Sequence, residues 1–102
     1  MIYVIAILTA KSGMRQAVLD AFHANMPAVH AEKGCIEYGP AIDAEGAGRF
    51  QTKFGPESFV VLEKWESLEA LKAHAATPHM TAYAEKTKDM LANRVIHVLS
   101  PA

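Results

Sequence analysis

A chain of 102 residues, 51% hydrophobic and 21% charged, suits one folded domain spanning residues 1–102 and excludes disorder or two separate cores. Ten Lys and Arg against eleven Asp and Glu leave a formal charge of −1, which excludes the basic footprint of a nucleic-acid binder or a polybasic membrane anchor. The longest apolar run, Ile2 to Leu8, is too short to cross a bilayer and has no basic segment before it, and the single Cys35 cannot close an internal disulfide; the expected location is the cytoplasm.

Ile2 to Leu8 is rich in β-branched residues and reads as a strand that is apolar on both faces, Ile2, Val4, Ala6 and Leu8 on one and Tyr3, Ile5 and Ile7 on the other. A sheet covered on one side by helices has no need of the second apolar face, so a partner subunit or a ligand is expected to cover it. From Ser12 to Lys33 the period becomes helical, with Met14, Val18, Ala21, Phe22, Asn25 and Val29 at three- and four-residue steps. Ser12 is the expected N-cap, Gly34 the expected stop, and Pro27 predicts a kink or break near Asn25 to Met26.

A second strand is expected over Cys35 to Asp43, with Cys35, Glu37 and Gly39 opposite Ile36, Tyr38 and Pro40. Ala44 to Glu57 carries Gly46, Gly48, Gly55 and Pro56 and reads as a long loop, with Phe50 and Phe54 either as its apolar anchors or as part of a short strand extension. Ser58 to Glu66 is the third strand, with Phe59, Val61, Glu63 and Trp65 on one face. Ser67 caps a short helix through Ala76. Thr77-Pro78 restarts a helix, which is expected to run to about Leu91 before a last strand over Val95 to Leu99. The order β-α-β-β-α-β predicts an α+β, ferredoxin-like fold with an antiparallel sheet.

Three spaced segments, Glu32-Lys33-Gly34-Cys35, Glu63-Lys64-Trp65 and His74-Ala75-Ala76-Thr77-Pro78-His79, give the chain a recognisable signature. In this order and on this element pattern, the chain resembles the antibiotic biosynthesis monooxygenase (ABM) family of dimeric α+β barrels, over nearly its full length. The resemblance implies a homodimer whose sheets face each other, with a pocket between sheet and helices in each subunit. It also implies quinol-monooxygenase-like chemistry on a small aromatic substrate with dioxygen and no metal, flavin or other cofactor. Other members of the family degrade heme or isomerise small phosphorylated compounds, so fold constrains architecture more tightly than reaction.

The candidate residues are weighed one by one. His74 and His79 flank the Thr-Pro restart, and an imidazole titrating near neutrality, at about 6.5, suits removal of a phenolic proton; bracing of the second helix is the plain alternative for His79. Trp65 is either a stacking surface for a flat substrate or a core anchor, and with the two histidines completes the expected catalytic set. Glu63, on the same face, can accept a phenol proton or serve as a paired charge. Tyr38, Tyr83, His97 and Phe59 complete the expected substrate-binding group; His97 can equally be a satisfied core histidine. Arg94 is either an anion contact or a helix-closing residue. No third ligand in recognisable spacing accompanies the histidines, so no metal is expected. The heme-degrading branch carries an Asn in its first strand where this chain has Ala6 or Ile7, which places heme chemistry below quinol oxidation. The leading expectation is a cofactor-independent monooxygenase; the alternatives are a non-oxidative isomerase of a small carbonyl compound and a non-catalytic dimer that binds a small aromatic.

Overall fold

The computed structural model describes residues 1–102. Four strands, β1 (Ile2–Ala10), β2 (Cys35–Ala41), β3 (Ser58–Trp65) and β4 (Leu91–Leu99), form one antiparallel sheet in the order β2-β3-β1-β4. Helices α1 (Arg15–His30), α2 (Leu68–Ala75) and α3 (Pro78–Thr87) cover one face. The arrangement is the ferredoxin-like α+β fold, with the second helical layer broken in two to give β-α-β-β-α-α-β. The break has the expected cause: Ser67 Oγ accepts the Ala70 N–H at 3.1 Å to start α2, while Thr77 caps α3 with Pro78 in its first turn. No helix is long and apolar enough to cross a membrane.

Alternation along β1 sorts the core. Val4, Ala6, Leu8 and Ala10 are buried under the helices, joined by Phe59, Val61 and Trp65 of β3, Tyr38 of β2, and Val18, Leu19, Phe22 and Val29 of α1. Removing Trp65, Phe22 and Phe59 from water is worth about 2–3 kcal/mol each before ordering costs, which makes them the main apolar contributors. None of the nine residues of β4 is buried. The helices leave this edge strand uncovered, and the space beside it becomes a cavity. On the opposite sheet face, Leu62, Val95 and Leu99 are 46%, 39% and 44% exposed, alongside Tyr3, Ile5 and Ile7 of β1.

Several boundaries differ from the sequence expectation. Helix α1 starts at Arg15, not at a Ser12 cap; Met14 is its N-cap residue and supplies no side-chain bond, while residues 12–13 form a turn closed by Glu57 on the Gly13 N–H. Pro27 lies inside a helix that continues unbroken to His30. The last helix ends at Thr87 and a 3₁₀ turn follows, so Leu91 to Arg94 are strand: pairing with Ala10, Thr9 and Leu8 overrides their local helical preference. Strand β2 ends at Ala41, and a register shift between Cys35 and Glu37 turns Cys35 toward the core and leaves Ile36 48% exposed, reversing the expected faces at that end. Phe50 and Phe54 are exposed and anchor nothing; instead the Asp43 carboxylate accepts the backbone N–H groups of Phe54 and Gly55 at 3.0 and 2.8 Å. Those two bonds hold the Asp43 carboxyl below the usual carboxylate range.

Candidate active site

A cavity of about 690 Å³ lies between the helix-covered face of β1, β3 and β4 and the helices α2 and α3. Its walls are mostly apolar, from Val4, Ala6 and Leu8 through Leu71 and Met80 to Ile96 and Val98. Convergent polar groups mark one side, where Tyr38, Glu63 and His74 meet.

Helix α2 delivers His74 to this wall, 4% exposed. Its Nδ1–H donates to Glu32, 2.9 Å from Oε2 and 3.2 Å from Oε1. A carboxylate oxygen only accepts, so the contact places a proton on Nδ1, and the tautomer that remains when the ring carries one proton has its lone pair on Nε2. No protein group is bonded to Nε2, and the ring lines the cavity. His79, at the start of α3, donates its own Nε2–H to the same Glu32 oxygen at 2.7 Å. One carboxylate, in the turn that follows α1, therefore ties α2 and α3 together. Aromatic rings fix the His74 imidazole laterally: Trp65 is 4.6 Å away between centroids and Tyr38 5.4 Å, and Tyr38 in turn stacks on Phe22 at 5.0 Å.

Glu63 faces the cavity from β3, across the ladder from Val4 and Tyr38. The Trp65 indole N–H donates to Glu63 Oε1 at 2.9 Å. Burial outweighs this bond and the nearby His74, and raises the Glu63 carboxyl above its ordinary range. Burial likewise pushes the Tyr38 phenol well above its usual range and the Tyr83 phenol up to about 12, so both hydroxyls remain protonated donors at neutral pH. The Cys35 thiol is also pushed up, by burial first and then by Glu32 and Glu63.

Of the residues proposed from the sequence, His74, Glu63, Tyr38 and Tyr83 line this cavity together. Trp65 and Phe59 are wholly buried behind its wall and support it. His79 turns away, into a small groove between α1 and α3, and reaches the site only through Glu32. His97 pairs with Ile5 on the opposite sheet face and is exposed, so it is neither a pocket group nor a core histidine. Glu32 is the site residue to which the sequence assigns no role: it opens the Glu32-Lys33-Gly34-Cys35 segment, but nothing local ties its carboxylate to the two histidines. No group of three or more His, Cys, Asp or Glu side chains is arranged to hold a metal ion.

Comparison with known proteins agrees with this architecture. The chain is 42% identical over 99% of its length, and 98% of the relative's, to "Probable quinol monooxygenase YgiN" of Escherichia coli (strain K12), and equally to that of Shigella flexneri. Among solved structures, PA3566 from Pseudomonas aeruginosa superposes with a TM-score of 0.80 at 25% identity, covering 99% of this chain and 93% of the other. A protein from Nitrosomonas europaea described as "Putative antibiotic biosynthesis monooxygenase" shares the fold at a TM-score of 0.84 and 20% identity, covering 99% and 98%. With the antibiotic biosynthesis monooxygenase family model matching residues 1–86 as well, the chain belongs to that family.

Proposed function

We propose that this protein is a monooxygenase that oxidises a small quinol or related phenol with dioxygen, using no cofactor. The observation that carries the reading is His74, held by Glu32 at Nδ1 and lining a largely apolar cavity of aromatic dimensions. Its Nε2 takes the proton of a bound hydroquinone. The resulting anion passes one electron to dioxygen, and the semiquinone and superoxide so formed recombine at a ring carbon. Return of the proton from His74 gives a hydroperoxide, which loses water to leave a hydroxylated quinone. One oxygen atom enters the ring, the other leaves as water, and the substrate supplies all four electrons. The protein contributes base, orientation and exclusion of water. Tyr38 serves as a hydrogen-bond donor to a substrate oxygen, Glu63 addresses the same end of the substrate from β3, and Trp65 holds Glu63 and His74 in place. The relative named as a quinol monooxygenase supports the substrate class.

The same reading takes the exposed apolar sheet face as the contact of a homodimer. Oxygen uptake by metal-stripped protein supplied with a panel of hydroquinones tests the chemistry. Uptake above the spontaneous rate, lost in His74→Ala and His74→Gln variants that still melt cooperatively, is the expected result. Full turnover in both variants would show that the base is another group, and no uptake across the panel would favour an oxygen-independent reaction.

A further inference from the structure

The polar groups of the cavity are not confined to the His74 side. Tyr83 lines it from α3, and its hydroxyl is the one buried side-chain polar atom in the molecule without a hydrogen-bond partner. Buried hydroxyls are ordinarily satisfied, and this one is closed off within the wall, so Tyr83 presents its ring to the cavity. Arg94 lines the cavity from β4 and takes part in no ion pair. The neighbouring cation, Lys88, is already engaged by Glu85 at 2.7 Å, which leaves Arg94 as the cavity's uncommitted positive charge.

Register gives the separation. Glu63 pairs with Val4 and Arg94 with Leu8, four residues apart on β1 but on the strands to either side of it, so the two positions are about 13 Å apart along the strands and about 10 Å across them. The wall between is apolar, formed by Ala6, Val61 and Ile96. A flat two-ring aromatic with a hydroxyl at one end and a carboxylate at the other spans such a gap once the reach of the Glu63 and Arg94 side chains and a hydrogen bond at each end are added.

We propose that the cavity recognises an anionic phenol, with Arg94 holding a carboxylate-like substituent remote from the hydroxyl that His74 and Glu63 address. This inference rests on the cavity being the substrate site, and it narrows the substrate to phenols or quinols carrying an acidic group. Arginine suits the task through its planar fork of donors, which a carboxylate matches in bidentate fashion.

Anaerobic fluorescence titration with 6-hydroxy-2-naphthoate and with 2-naphthol tests it, because binding is then read without oxidation. The parent protein is expected to bind the carboxylate about tenfold more tightly than 2-naphthol. Arg94→Gln is expected to abolish that advantage, so that the two probes bind with equal affinity. Equal binding of the two probes, an advantage that survives Arg94→Gln, or binding of neither would overturn the proposal. Absence of oxygen uptake with bound ligand would instead count against the oxidation, leaving this recognition intact.

Discussion

A buried hydroxyl without a partner costs the folded state its lost hydration, and Tyr83 carries that cost in the ligand-free protein. Tyr83→Phe is therefore expected to raise stability by about 1 kcal/mol, seen as a higher melting temperature with no ligand present. A lower one would show that the hydroxyl has a partner. Glu63 gives a second expectation, on pH. Its carboxyl is raised by burial, so over the interval from the ordinary value of about 4.3 up to the raised one the folded state binds more protons than the unfolded chain. Stability from this group consequently falls as pH rises across that interval, and the full penalty is present above it. Glu63→Gln keeps an acceptor for the Trp65 indole and removes the titration. The urea midpoint of the variant should gain on that of the parent between pH 4 and pH 8, and parallel profiles would contradict the assignment. The residue that organises the site was the hardest to see beforehand: Glu32 lies 42 residues before His74 and 47 before His79, and no local pattern links a carboxylate to imidazoles that far along the chain.

At the level of elements, the join between β2, β3 and α2 is the tightest. Gly34 has φ of +87°, and a Cβ there would lie 2.6 Å from the Ala70 Cβ on α2. Neither atom can swing aside, so Gly34→Ala must shift the helix that carries His74. We expect a loss of about 2–4 kcal/mol in chemical denaturation. Gly13→Ala is the control: φ is +76° but the space around it is open, so only backbone strain is added, about 1 kcal/mol. Similar losses in the two variants would remove the steric argument. Local chemistry made many elements legible: the Ser67 and Thr77-Pro78 starts and the alternation of β1 and β3 are where the residues place them. The beginning of β4 was hidden because Leu91 to Arg94 become strand only through partners on β1 more than eighty residues earlier. Helix α1 hid its continuity for the opposite reason, since Pro27 is a strong local signal that surrounding contacts override.

For the molecule as a whole, the apolar face opposite the helices carries the expectation of dimerisation. Leu62 sits near its middle, between Ile5 and Gly39 across the ladders. Leu62→Glu would set two carboxylates against each other across a two-fold axis, and sedimentation velocity should show the dimer replaced by monomer. An unchanged assembly would place the contact elsewhere. The doubly apolar Ile2 to Leu8 run made this face legible at the outset, whereas the cavity was expected only through the family resemblance, because it arises from where the helices stop short of β4. The strand order β2-β3-β1-β4 has a further consequence. The first strand made by the ribosome lies between the third and the last, so one of its hydrogen-bonding edges stays open until β4 emerges. A nascent chain thus has no complete cavity and exposes a long apolar edge late into synthesis. In crowded cells this interval, rather than the finished protein, is the point of greatest exposure to misassembly and to chaperone capture.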